Sequence, residues 1–150
     1  MEAFEIERKF LVKKLPEDLE KYECRQLEQG YLCTEPVVRI RRSDDTYTLT
    51  YKGKGLLVRE EYNLPLTKEA YEHLKPKADG ILITKKRYKI PYQSYMIELD
   101  IFEGELASLQ LAEVPTKEEA EAFEAPEWFG EDVTFSGQYQ NSSLSKRKKK

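Results

Sequence analysis

Glu5, Glu7 and Lys9 stand at alternate positions near the start of the chain, a spacing that suits metal and phosphate chemistry. Within Phe4-Glu5-Ile6-Glu7-Arg8-Lys9-Phe10-Leu11-Val12, a strand would put Glu5, Glu7, Lys9 and Leu11 on one side. Phe4, Ile6, Arg8, Phe10 and Val12 would face the other. Carboxylates two residues apart on a strand are roughly 7 Å apart at the backbone, so their oxygens can converge on one hard cation. Lys9 follows at the same step, placed to hold an anion beside that cation. Taken alone, an E-x-E-x-K pattern reads better as a solvated strand face with an internal ion pair. The rows further along the chain reverse that balance.

Arg39 and Arg41 share one face of a predicted strand over 37–42, and Asp44-Asp45 supplies a hairpin turn into a strand over 47–52 that carries Lys52. Arg59 and Glu61 share a face in a predicted strand over 57–66. Lys85, Arg87 and Lys89 do so over 81–90, and Glu98 and Asp100 over 95–102. Glu113 lies in a short strand over 109–114, and 25–33 reads as a further strand. Between these elements, Pro16 to Tyr22 reads as a short helical link, and Thr67 caps a helix running to about Lys75. Thr116-Lys117-Glu118-Glu119 has the form of a capping box for a helix to about Glu124. A turn-like segment from Ala125 to Gly130 carries Trp128, and 139–145 reads as a last short helix.

A chain of 150 residues is one domain by length, over 1–145, followed by a basic tail over 146–150 that reads as disordered. Net charge is -3. Without the five cations of that tail, 20 basic residues remain against 28 acidic ones, so the body stands at -8. Such a body argues against a stable nucleic-acid partner. Cys24 and Cys33 have neither zinc-ligand spacing nor a disulfide framework, which suits a reducing compartment, and cytoplasm is the expectation. No apolar run approaches membrane-spanning length, so no membrane partner is expected. His73 is the single histidine and falls in a helix that reads as surface. That excludes Ser-His or Cys-His nucleophilic systems and His-rich metal sites. The chemistry must run on carboxylates, lysines, arginines and a metal.

Eight strands with tight turns predict a mostly-β α+β fold, a closed eight-stranded antiparallel barrel with a few short helices outside it and at one mouth. In most small barrels the inner face is apolar. Here one face repeatedly offers charge, and buried charge is tolerated only when it is paired or holds a ligand. A polar tunnel holding a highly charged anion and a metal satisfies that demand.

Together, Glu5-Ile6-Glu7-Arg8-Lys9, Arg39-Ile40-Arg41, Lys52-Gly53-Lys54-Gly55, Arg59-Glu60-Glu61, Lys85-Lys86-Arg87-Tyr88, Glu98-Leu99-Asp100 and Ala112-Glu113-Val114 resemble the CYTH, or triphosphate tunnel metalloenzyme, family. The resemblance runs from Glu2 to about Leu144 and is nearest to short bacterial inorganic triphosphatases. It implies a triphosphate tunnel, Mg2+ or Mn2+ as cofactor, and cleavage of tripolyphosphate to diphosphate and phosphate. Glu5, Glu7 and Lys9 would be catalytic. Lys9, Arg39, Arg41, Lys52, Arg59, Lys85 and Arg87 would bind a small-molecule triphosphate. Glu5, Glu7, Glu61, Glu98, Asp100 and Glu113 would supply metal ligands, with Glu61, Glu98 and Asp100 also available to orient the basic groups. A homodimer is common in the family. The C-terminal 131–134 and 139–144 resemble a segment that plugs one tunnel mouth, with Tyr31 near it.

Two positions depart from the family pattern. The closing strand usually carries E-x-E, whereas Glu113-Val114 is followed by Pro115, and Asn63 stands where an acidic residue is common. Adenylate cyclase and thiamine or nucleoside triphosphatase are the alternatives within the family. A non-catalytic polyphosphate or nucleotide binder is the alternative outside it. Trp128 reads as a core residue before it reads as a stacking platform.

Overall fold

A computed structural model of the chain describes residues 6–53, 60–116, 123–134, 136–139 and 144, with the backbone alone at 6, 7, 115, 116 and 137. Strand-forming alternation gives β1 (Ile6–Val12), β2 (Glu23–Thr34), β3 (Val37–Ser43), β4 (Thr46–Lys52), β5 (Glu61–Pro65), β6 (Asp79–Tyr92), β7 (Tyr95–Glu103) and β8 (Gln110–Thr116). A ninth strand, β9 (Phe129–Asp132), corrects the expected count of eight: part of the stretch that reads as a turn pairs with β1 as a short strand. All nine form one antiparallel sheet in the order β5-β4-β3-β2-β6-β7-β8-β1-β9, with β5 and β9 at its ends.

The link before β2 is a 3-10 turn over Leu19–Lys21. Between β5 and β6 lies α1 (Lys68–Leu74), whose N-cap Thr67 accepts a hydrogen bond from the Ala70 amide at 3.0 Å. The capping-box segment lies mostly outside the described residues. A 3-10 turn covers Gly137–Tyr139; the helix expected over 139–145 falls mostly outside the described residues, of which only Tyr139 and Leu144 belong to it, and Leu144 is helical.

Alternation along the strands sorts the side chains onto two faces. One carries Phe10, Ile97, Leu99, Ala112, Val114 and Phe129, with Trp128 edge-on to Phe129 at 4.7 Å. Trp128 is thus a packing residue. The same face further along the sheet receives α1, whose buried Tyr71 meets the ring of Tyr47 at 5.2 Å and donates to Glu28 at 2.8 Å.

The other face changes character along its length. At one end, Tyr31, Ile81, Ile83, Phe102, Leu111, Val133 and Leu144 form an apolar cluster, with Leu11 and Tyr139 packed against it. Two positions along each of several strands, the same face becomes charged: Leu11 gives way to Lys9, Leu111 to Glu113, Phe102 to Asp100 and Ile83 to Lys85. Shifts of register in β2 against both neighbours fall around Gln29 to Cys33, where the two halves meet. Gly30 sits there because a Cβ would come within 2.8 Å of the Ala78 Cβ and 2.9 Å of Leu82 Cδ2.

Candidate active site

Strand register fixes which charges stand side by side. Lys9 lies opposite Glu113, Glu113 opposite Glu98, and Glu98 opposite Lys89, one row across β1, β8, β7 and β6. Lys9 Nζ is 3.7 Å from Glu113 and donates to the Tyr139 carbonyl at 3.0 Å. Arg87 Nη1 stands 3.7 Å from Glu98.

Asp100 holds two cations at once. Arg87 grips it through Nε to Oδ1 at 2.8 Å and Nη2 to Oδ2 at 2.9 Å, while Lys85 Nζ reaches Oδ2 at 2.7 Å. Lys85 and Asp100 are both fully buried. Burial pushes the Asp100 carboxyl up, but Lys85 and Arg87 outweigh it and leave the group below its ordinary value. Burial also pulls Lys85 down, and Asp100 offsets only part of that. For Arg87, burial is outweighed by the hydrogen bonds and charge of Asp100, so it titrates above its ordinary value. Both oxygens of Asp100 are therefore engaged in orienting cations, one of the two roles the sequence leaves open for it.

Arg39 and Arg41 project from β3 with no carboxylate within 4.0 Å among the described residues. Arg39 Nη2 donates to Thr50 at 3.3 Å, Thr50 donates to Asn63 at 2.6 Å, and Asn63 donates to Glu61 at 3.2 Å. Lys52 lies 3.7 Å from Glu61. The hydrogen bond from Asn63 is the main cause holding the Glu61 carboxyl below its ordinary value, with Lys52 and Arg39 helping. Asn63, where an acid was expected, thus extends a relay that positions Arg39. Arg41 Nε donates to Gln29 at 2.9 Å. Burial, with the charges of Arg39 and Arg87, pulls Arg41 down to about 10. Among the described residues, the buried donors Arg39 Nε and Gln29 Nε2 have no hydrogen-bond partner.

The structure therefore gathers Lys9, Lys85, Arg87, Asp100, Glu98 and Glu113 through direct contacts and adjacent register, and Arg39, Arg41, Lys52 and Glu61 along β3 to β5. Glu5 and Arg59 lie outside the described residues, as does the side chain of Glu7. Among the described residues no group of three or more His, Cys, Asp or Glu gathers as a metal site. Glu98 and Glu113, directly opposed on β7 and β8, nonetheless form a like-charged pair of hard oxygen donors. Gln29 and Thr50 carried no signal in the sequence, since a lone amide or hydroxyl in a strand is ordinary; only their burial marks them.

A CYTH domain family model matches residues 3–149. The chain belongs to the CYTH domain family. It is 38% identical to an inorganic triphosphatase of Nitrosomonas europaea over 148 residues, covering 94% of this chain and 96% of that relative. With an inorganic triphosphatase of Acetivibrio thermocellus it shares 34% identity over 149 residues, covering 95% and 93%. A crystal structure of an inorganic triphosphatase superposes with a TM-score of 0.81 at 34% identity, covering 99% of each chain. No helix among the described residues is long and apolar enough to cross a membrane.

Proposed function

We propose that this CYTH-family chain hydrolyses inorganic tripolyphosphate to diphosphate and phosphate in a tunnel formed by its single sheet, with Mg2+ or Mn2+ as cofactor. The observation that carries the reading is the Arg39–Arg41 corner, where two guanidinium groups on one strand face have no carboxylate within 4.0 Å among the described residues and Arg41 is pulled down to about 10. Cations gathered side by side in a buried corner repel one another, and an anion bound there offsets that repulsion. Forked donors match phosphoryl oxygens, and the names of the two relatives supply the substrate class. Burial of Lys85 and Asp100 on one face of one sheet supports closure, because a flat sheet would leave that face wet.

Within the tunnel, Lys9, Arg39, Arg41, Lys52, Arg59, Lys85 and Arg87 bind the triphosphate, and Asp100 holds Lys85 and Arg87 in position. Bound in line, the terminal phosphoryl group meets donors already oriented by the fold, so charge developing in the transition state needs little reorganisation. Glu5, Glu7, Glu98 and Glu113 would hold the cation, carboxylate oxygens being the donors that Mg2+ and Mn2+ favour. When bound, it supplies Lewis acidity toward phosphoryl oxygen. The chemistry requires no nucleic-acid or membrane partner, and the site is consistent with a cytoplasmic enzyme, as a monomer or a homodimer.

Phosphate release from tripolyphosphate, ATP and thiamine triphosphate with Mg2+ or Mn2+ tests the reading. Tripolyphosphate should be the best substrate, with turnover lost in Glu7→Ala and Arg41→Ala. Binding without turnover would make the chain a polyphosphate binder, and cyclic AMP from ATP would make it a cyclase.

A further inference from the structure

We propose that Gln29 is a substrate-binding residue, whose side-chain amide fixes Arg41 through its oxygen and donates through its nitrogen to a phosphoryl oxygen. The assignment rests on the triphosphatase reading and adds a contact that neither the charge pattern nor the family resemblance supplies. Gln29 is fully buried, directly opposite Arg41 in the β2–β3 register, and accepts from Arg41 Nε at 2.9 Å. Arginine has no acceptor, so the amide can face Arg41 only with its oxygen. Its nitrogen must then point elsewhere, and Nε2 is buried without a partner.

An unpartnered buried donor is costly and therefore uncommon. Two occur together here, since Arg39 Nε, on the strand opposite Gln29, is in the same condition. Both lack an acceptor among the described residues, and the oxygen of the Gln29 amide is already taken by the Arg41 guanidinium. A ligand rich in acceptor oxygen satisfies both at once, whereas a metal satisfies neither. In this arrangement the Gln29 oxygen also keeps Nε of Arg41 occupied, which leaves the two terminal nitrogens of Arg41 for the phosphate fork.

Calorimetric binding of tripolyphosphate, with the divalent cation withheld, tests this on Gln29→Met and Gln29→Glu, together with kcat and KM in its presence. Gln29→Glu keeps the acceptor for Arg41 and exchanges only the donor; it should unfold at or above the wild-type midpoint. Both variants should bind tripolyphosphate about tenfold more weakly or worse, the loss expected for a donor to a charged group. Gln29→Met made in an Arg41→Lys background separates direct contact from an effect through Arg41. A further loss of about threefold or more there supports direct contact, and no further loss overturns it. Variants that bind within about twofold of wild type would reduce Gln29 to a packing residue while leaving the triphosphatase reading intact. Failure of the wild-type chain to bind or hydrolyse tripolyphosphate would remove that reading and this assignment together.

Discussion

Asp100 is buried with Arg87 and Lys85 on its two oxygens, so deleting its carboxylate strands two cations in a dry part of the sheet. Breaking a buried pair by removing one partner costs more than the pair contributes, because the remaining charge has no solvent. Asp100→Ala should therefore lower stability by about 3–5 kcal/mol in urea unfolding. The effect has a defined pH dependence. Asp100 titrates below its ordinary value of 3.8 in the folded chain, so the unfolded chain binds the proton more readily. Its contribution is present above that ordinary value and is lost as pH falls through the depressed one. The gap between wild type and Asp100→Ala should accordingly narrow below about pH 4. A gap that stayed constant into acid would mean that the ion cluster is not what Asp100 stabilises.

Among the elements, α1 and the β2–β6 contact make opposite predictions about activity. Thr67→Ala removes the cap of a helix packed on the face away from the cations. It should cost about 1 kcal/mol and leave turnover per folded molecule unchanged. Gly30→Ala forces a methyl against Ala78 and Leu82 beside Gln29, and should cost about 1–3 kcal/mol while also raising KM for tripolyphosphate. If Gly30→Ala left KM unchanged, β2 would not be what sets the position of Gln29. The strands and the Thr67 cap were legible in the sequence because period-two alternation and a capping residue act locally. The register shifts around Gln29 were not, because they arise from pairing with β3 and β6, and β9 was missed because four residues are too few to show a period. The described cations of the candidate site share strand faces as the alternation of charge in the sequence implies. Gln29 and Asn63 were not, since an amide acquires a role only from what burial and register bring to it.

Across the whole molecule, the first strand meets the C-terminal segment around β9 at the candidate site. β9 pairs with β1, the Val133 amide donates to the Lys9 carbonyl at 2.8 Å, and the Tyr139 carbonyl accepts from Lys9 Nζ. Leu144, 135 residues from Lys9, is fully buried in the apolar cluster that also holds Val133. Leu144→Ala should consequently cost about 2–5 kcal/mol, the range for a buried leucine whose cavity does not collapse. Because Lys9 shares the segment through Tyr139, KM for tripolyphosphate should rise as well, with kcat less affected. Urea unfolding and steady-state kinetics on the same preparation read both. A loss of less than about 0.5 kcal/mol would show that Leu144 rests on the sheet without stabilising it. A normal stability loss with unchanged KM would instead mean that Lys9 is held by Glu113 alone.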